Sequence, residues 1–292
     1  YRLRSQMPAK SMARLWLVTL MTMLAFAANS LLCREALASD SISAGSFTLV
    51  RVAAGALVLA LLSIENIRQR RMAGSWWGAA ALMGYAAAFS FAYNSLSAGT
   101  GALILFGAVQ ATMIGYGLCS GERLNTWQLV GVVAACGGLV WLLLPGVQSP
   151  SLTGAALMAG AGICWGVYSL LGRGTQSPTA TTAGNFIRAL PIAVALFLLT
   201  AQSEHTTSIG LVYAAASGAL ASGMGYALWY LVLPSLSATT AAMVQLSVPV
   251  IAASGGMVLL SEAVTARFVC AGITVLGGIA TFVVNKGRAS GL

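Results

Sequence analysis

Long apolar runs separated by short polar segments dominate the chain. A helix that crosses the hydrocarbon core of a bilayer needs about 20 consecutive, mainly apolar residues. Apolar and polar residues do not alternate with a period of two in these runs, which are also too long for barrel strands. The pattern therefore predicts helices that cross a membrane. Ten runs fit this description: 12–33, 43–64, 75–96, 99–119, 126–144, 153–171, 181–200, 208–233, 238–260 and 265–284.

The composition agrees with a lipid environment. Hydrophobic residues make up 58% of the chain and charged residues only 7%, whereas soluble domains carry roughly 25% charged residues. A net charge of +9 would suggest a nucleic-acid partner in a soluble protein. Here the basic residues lie at the N-terminus and at the ends of the runs, so they indicate topology. We expect the lipid bilayer, and no nucleic acid, as a partner.

The distribution of basic residues predicts the orientation. If the N-terminus is cytoplasmic and the connections alternate, eleven of the 15 Lys and Arg residues become cytoplasmic. Arg34 and Arg267 alone fall on the other side, and Arg51 and Arg188 lie within runs. Cytoplasmic connections are enriched in Lys and Arg. The chain is therefore predicted to be a multi-pass protein of the bacterial inner membrane, with both termini inside. The first run is long enough to remain as a span rather than act as a cleaved signal peptide.

The two halves of the chain resemble each other. Leu96-Ser97-Ala98 recurs as Leu236-Ser237-Ala238, and Gly137-Gly138 recurs as Gly277-Gly278 at the same spacing. Residues 1–149 and 150–292 would then each hold five spans. Because five is an odd number, the second half enters the bilayer from the opposite side. Such inverted repeats are common in secondary transporters that work by alternating access, with the substrate near the midplane between the halves.

Several residues in the second half carry a family resemblance. They are Tyr226-Ala227-Leu228-Trp229-Tyr230, Pro234-Ser235-Leu236-Ser237-Ala238, Pro249-Val250, Glu262 and Gly272. This pattern resembles the ten-helix EamA-type branch of the drug/metabolite transporter (DMT) superfamily. Within that branch the chain is most similar to the bacterial aromatic amino acid and methyl viologen exporters. The first half departs from the pattern, since Val109, followed by Gln110, stands where the second half has Pro249.

The resemblance implies a transporter that is not driven by ATP and that exports small amphipathic metabolites. Amino acids, including aromatic ones, are the favoured cargo. A nucleotide-sugar or drug carrier of the same superfamily is an alternative, and a channel or a membrane scaffold is another. Ten spans suffice for a complete pathway in one chain, so a monomer is expected.

Aromatic and amide side chains at helical spacing are the candidates for a substrate cavity. Aromatic rings accept flat apolar groups, while amides and hydroxyls bind neutral or zwitterionic groups. Tyr and Trp near span ends equally suit an interfacial belt, and both interpretations stay open. The candidates are Asn29, Tyr85, Phe89, Tyr93, Asn94, Gln110, Trp165, Tyr168, Tyr226, Trp229, Tyr230 and Gln245.

Four charged residues at equivalent positions of the two halves have alternative roles. A charge within a span is expensive and is often functional. Arg51 and Arg188 could therefore be structural, or they could act in gating or in binding a substrate carboxylate. Glu122 and Glu262 each follow a span. They are predicted to cap the N-terminus of the next helix, with proton coupling as the alternative.

Pro249 lies within the ninth run, close to Gly255 and Gly256. Proline removes a backbone hydrogen bond and kinks a helix. The sequence therefore predicts a hinge for alternating access at these three residues.

The sequence carries no catalytic constellation. Its one histidine, His205, and its one aspartate, Asp40, both fall in predicted outer connections. No nucleotide-binding glycine motif or nucleophilic serine motif is present, and the five cysteines follow no metal-binding spacing. We therefore predict no enzyme activity, no metal and no cofactor, and a small molecule as the transported partner.

Overall fold

The structure, a computed structural model, describes residues 9–65, 73–121, 124–144, 149–172, 175–200, 205–236 and 244–289. These residues are almost entirely helical, with one isolated β-bridge between Ile42 and Thr206. The long helices are α1 (Ala9–Ala38), α2 (Ala44–Leu62), α3 (Trp76–Ala92), α4 (Ala98–Cys119), α5 (Thr126–Leu143), α6 (Leu152–Leu171), α7 (Pro178–Thr200), α8 (Ser208–Val232), α9 (Ser247–Leu259) and α10 (Ala266–Ala289).

Eight of these helices are long and apolar enough to cross a membrane. The two others are α3, with 17 residues, and the shorter apolar helix α9. Large apolar side chains point outward from the bundle, such as Trp77 (79% exposed) and Leu199 (84% exposed). An outer surface of this kind needs lipid as its solvent. The predicted all-helical, multi-pass membrane fold is confirmed.

Polar caps explain where many of the helices begin. In hydrocarbon an unpaired backbone N–H is expensive, so the first turn of a spanning helix needs a partner. A Ser, Thr or Asn side chain accepts a hydrogen bond from the backbone amide three residues further on. The capping residues are Ser43, Ser75, Ser97, Asn125, Ser151 and Thr207.

The contacts between helices follow a regular scheme. Helices five places apart pack together in the pairs α2–α7, α4–α9 and α5–α10. The other main contacts come in matched sets: α1–α8 with α3–α6, α1–α9 with α4–α6, and α2–α8 with α3–α7. Exchanging each helix for its counterpart five places away leaves the first three pairs unchanged and converts the two members of each matched set into each other.

The crossing of α5 and α10 shows this scheme at atomic level. A Cβ atom added to Gly131 would lie 2.5 Å from the carbonyl oxygen of Gly278, so the two backbones touch. A Cβ atom added to Gly138 would lie 3.1 Å from the carbonyl oxygen of Ala271. Residues 131 and 271, like 138 and 278, are 140 positions apart. The two contacts are therefore equivalent under the spacing of the sequence repeat.

Connections meet at one end of the bundle, which we call the Glu262 end. The Nε of Arg34, near the end of α1, lies 2.9 Å from Oε1 of Glu262, which precedes α10. The start of α10 reaches the end of α5, where Arg267 donates to the carbonyl oxygens of Trp141 and Leu144. The α1–α2 connection, which follows Arg34 in the chain, contacts the α7–α8 connection. There the Thr207 amide donates a hydrogen bond to the Ser41 carbonyl oxygen (2.8 Å).

Candidate functional site

A cavity of about 480 Å³ lies within the bundle. Its wall is formed by α1, α3, α4, α6 and α8, by Pro178 at the start of α7, and by Gln245 just before α9. It reaches Gly172 and Thr175 after α6 and Leu233 after α8. These residues mark the opposite end of the bundle, which we call the Gly172 end.

Ten of the twelve predicted cavity residues line this space. They are Asn29, Tyr85, Phe89, Gln110, Trp165, Tyr168, Tyr226, Trp229, Tyr230 and Gln245.

Tyr93 and Asn94 lie elsewhere. Helix α3 ends at Ala92. Tyr93, the last aromatic residue in the series with Tyr85 and Phe89, therefore lies beyond the cavity. Tyr93 is buried at the Glu262 end, where its hydroxyl donates to the Ala98 carbonyl oxygen (3.3 Å). Asn94 is exposed at the same end. The placement of these two residues in the cavity was wrong.

Equivalent positions of the two halves both contribute to the cavity wall. At spacings of 139 or 140 residues, both members of each pair line the wall. The pairs are Phe26 with Trp165, Asn29 with Tyr168, Ser30 with Ser169, Phe89 with Trp229, and Leu105 with Gln245. Sequence reasoning missed Phe26, Ser30, Ser169 and Leu105, although the repeat could have identified Phe26 and Leu105 from their predicted partners Trp165 and Gln245.

Aromatic rings make up one continuous part of the wall. The ring of Trp165 lies 4.9 Å from Tyr85, 5.0 Å from Tyr226 and 5.5 Å from Tyr168, measured between ring centroids. Phe26 extends the cluster at 6.0 Å from Tyr226. Such a surface favours the flat apolar body of a ligand.

A polar network lies against this aromatic surface. The Ser217 hydroxyl donates to Oδ1 of Asn29 (2.6 Å), and Nδ2 of Asn29 donates to the Tyr85 hydroxyl (3.1 Å). Nη2 of Arg51 donates to the same hydroxyl (2.9 Å). Residues from α1, α2, α3 and α8 thus meet at one polar point of the cavity wall.

A π-helical segment, Ser217–Met224, interrupts α8 beside this point. It supplies Ser217 to the network and Ala221 to the cavity wall. Insertions of this kind within α-helices are frequently found at functional sites. The sequence pattern did not predict it, because hydrophobic periodicity does not distinguish one widened turn from a regular helix.

Arg51 and Arg188 have different environments. Arg51 is 2% exposed and lies beside the cavity network. Arg188 is partly buried, and its Nη1 donates to the carbonyl oxygens of Ala73 and Gly184, both at 3.0 Å. Backbone oxygens therefore serve as acceptors for Nη1 of Arg188, which agrees with a structural role, and that role remains a prediction.

Glu262 caps a different helix from the one predicted. Its Oε2 accepts from the backbone amide of Ala98 (2.9 Å), the first residue of α4. The following helix, α10, is instead capped by Thr265, whose hydroxyl accepts from the Phe268 amide (3.1 Å). The chain turns back at Ser261 (φ 53°), which directs Glu262 toward α4 and Arg34. Its counterpart Glu122 lies outside the described residues.

Pro249 lies just after a break in helical structure. It is the third residue of α9, where a missing N–H removes no intrahelical bond, and the break in helical structure comes at Leu246. Gly255 and Gly256 serve close packing, because an added Cβ would lie 2.5 Å from Leu31 and from Glu262 Oε2, respectively. A hinge at these residues remains a prediction.

The described residues that line the cavity include no Asp, Glu, Lys, Arg or His. Across the described ranges, no three His, Cys, Asp or Glu residues are grouped so that they could hold a metal ion. The wall therefore offers aromatic surface, amides and hydroxyls as its means of recognition.

Comparison with known proteins agrees with this architecture. The pattern of the EamA-like transporter family matches residues 152–284. The chain is 53% identical over 279 residues to a Pseudomonas aeruginosa protein called "Uncharacterized protein PA1977", covering 95% of this chain and 97% of that one. A solved chain described as "Crystal structure of protein" has the same fold, with a TM-score of 0.68 at 17% identity over 95% of this chain and 99% of that chain. The chain belongs to the EamA-like transporter family of the DMT superfamily and is a multi-pass membrane transporter.

Proposed function

We propose that this protein is a ten-helix secondary transporter of the bacterial inner membrane. It exports small amphipathic metabolites by alternating access, and its cargo is amino acids, including aromatic ones. Residues 1–149 and 150–292 form two inverted five-helix repeats, both termini are cytoplasmic, and a single chain contains the whole pathway. The observation that carries the proposal is the cavity between the halves, lined by equivalent positions of both.

The packing supports the inverted repeat. The main helix contacts map onto one another or onto themselves when each helix is exchanged for the one five places away. The contact of Arg267 with the end of α5 puts the start of α10 at the same end of the bundle as the end of α5. The two halves then run in opposite directions through the bilayer. A location in a bacterial inner membrane agrees with the bacterial origin of the Pseudomonas aeruginosa relative.

With cytoplasmic termini, the Glu262 end faces outward and the Gly172 end faces the cytoplasm. The cavity reaches residues at the Gly172 end. At the Glu262 end, Arg34 joins Glu262 and also donates to the Tyr93 carbonyl oxygen (2.8 Å). The structure then corresponds to an inward-open state, and opening outward requires these contacts to separate.

The cavity supports an amphipathic cargo. About 480 Å³ lies within the range of roughly 300–1,000 Å³ typical of small-molecule sites. The Trp165 cluster suits an aromatic or apolar side chain. Asn29, Gln110 and Gln245 suit the polar end of an amino acid.

Flux measurements with purified protein in liposomes test the function. Uptake of radiolabelled amino acids should saturate, and the same amino acid loaded inside should accelerate it, with and without a pH gradient. Flux that never saturates and ignores internal substrate would indicate a channel. Absence of flux for every amino acid would reject the proposed cargo.

Cysteine labelling in intact cells tests the orientation. A cysteine at Asp40 should react with a membrane-impermeant maleimide added outside, and one at Thr175 should react only after the cells are opened. The reverse pattern would overturn the assignment of the two ends.

A further inference from the structure

Arg51 is a buried cation with an unsatisfied donor. It is 2% exposed, its Nε lies 3.4 Å from Ser222 Oγ, and its Nη2 lies 2.9 Å from the Tyr85 hydroxyl. Its Nη1 has no hydrogen-bond partner among the described residues. A buried donor without a partner is rare in native proteins, so this nitrogen calls for an explanation.

Among the described residues, no carboxylate forms an ion pair with Arg51. Its electrostatic neighbours are the hydroxyls of Tyr85 and Tyr226 and the thiol of Cys33, groups that are ordinarily uncharged at neutral pH. An uncompensated buried charge is strongly unfavourable unless something pairs with it. The environment of Arg51 thus favours an anion.

The guanidinium lies directly behind the cavity wall. Its central carbon is 5.0 Å from the ring centroid of Tyr85 and 4.8 Å from that of Phe89, and both residues line the cavity. The neighbour of Ser222 in sequence, Ala221, lines it as well. One layer of side chains separates the charge from the space that a ligand would occupy.

Arg188 provides an internal comparison. It is the counterpart of Arg51 in the other half, yet two backbone oxygens accept from its Nη1. The fold can therefore supply backbone acceptors to an arginine at this position without any ligand. Arg51, the member of the pair beside the cavity, is the one with a free donor.

The Tyr85 hydroxyl carries the effect of Arg51 to the cavity. Its oxygen accepts from Arg51 Nη2 and from Asn29 Nδ2, so its own proton is left to donate, either to the neighbouring Tyr226 hydroxyl or to a ligand. Donation from a positive group into the oxygen strengthens the hydroxyl as a donor. The wall at this point combines a positive potential with an O–H donor.

We infer that Tyr85, backed by Arg51, binds the carboxylate of the transported molecule, and that the protein selects anions and zwitterions with an aromatic body over amine cations. Tyr85 is the contact residue, and Arg51 is a positioning residue that acts through it. The aromatic cluster around Trp165 holds the other end of the same molecule. This inference rests on the proposed transport function, whose cargo class it narrows.

A series of probes with the same phenyl body tests the selectivity. Binding of 3-phenylpropionate, phenylalanine and 2-phenylethylamine to the purified protein is measured by calorimetry, and counterflow of each is measured in liposomes. The two carboxylate probes should bind at least tenfold more tightly than the amine. Arg51→Gln should remove this preference by weakening the carboxylate probes about tenfold or more, without weakening the amine.

Two further variants separate recognition from folding. Arg188→Gln, the matched control, should leave the ratio of carboxylate to amine affinity unchanged even if it lowers stability. Tyr85→Phe keeps the ring and removes the donor, so it should reduce that ratio and gives an independent test if Arg51→Gln does not fold.

The outcomes distinguish this inference from the function on which it rests. Flux without preference for carboxylates, or a preference that survives both Arg51→Gln and Tyr85→Phe, overturns the inference and leaves the transporter. Carboxylate-selective binding without flux overturns the transport function and leaves the site.

Discussion

Breaking the ion pair between Arg34 and Glu262 should open the outward end of the pathway. The two side chains are only 21% and 14% exposed, so solvent screens their interaction weakly. In Glu262→Gln the amide oxygen can still accept from the Ala98 amide, but the amide nitrogen that replaces the second oxygen cannot accept from Arg34. A hydrogen bond to a charged group stabilises by about 1.5–3 kcal/mol. Loss of about 2 kcal/mol from the inward-open state shifts the equilibrium roughly 30-fold.

Accessibility of Ser30 reports this shift. Ser30 lines the cavity one helical turn before Arg34, so it is among the first positions uncovered when the Glu262 end opens. With the five native cysteines replaced by alanine, Ser30→Cys should react slowly with an impermeant maleimide added to intact cells. Adding Glu262→Gln should accelerate labelling by at least tenfold.

Asp40→Asn is the matched control for this experiment. Asp40 pairs with His205 at the same end (2.9 Å), but its side chain is 87% exposed. Exposed ion pairs contribute little, so labelling of Ser30→Cys should not change. Equal labelling in the Glu262→Gln and Asp40→Asn backgrounds would refute the role of the Arg34–Glu262 pair in closing this end.

Two further predictions test the packing and the aromatic wall. Gly131→Val places a side chain against the carbonyl oxygen of Gly278. This substitution should lower the free energy of unfolding by about 1–3 kcal/mol and lower the melting temperature in detergent. Gly137→Val is the control, because an added Cβ there has nothing within 4 Å, and it should leave the melting temperature unchanged. Equal melting temperatures for the two variants would contradict the close α5–α10 crossing. Trp165→Ala should weaken apparent affinity for an aromatic amino acid roughly tenfold by removing ring contacts worth about 0.5–1.5 kcal/mol each, while Trp77→Ala on the lipid face should have no effect on uptake.

Much of the cavity could be predicted from the sequence, and the reason is geometric. Helical spacing puts Trp165 and Tyr168 on one face of α6, and Tyr226 and Trp229 on one face of α8. Aromatic and amide side chains at such spacing face the interior, because lipid surrounds the bundle. The prediction of cavity residues was wrong only for Tyr93 and Asn94, because the helix ends at Ala92 while the aromatic spacing continues to Tyr93.

The sequence by itself determined that this chain is a bundle of membrane helices, because scarcity of charge and length of the apolar runs are properties of each segment alone. It also placed charged residues at equivalent positions of two similar halves. Only the tertiary structure decided what those charges do, since their partners come from distant segments. Packing gives Arg188 two backbone oxygens and leaves Arg51 a free donor beside the cavity. It likewise turns Glu262 away from its neighbouring helix toward Arg34, because an ionic group shielded from water must find its partner wherever the fold brings one within reach.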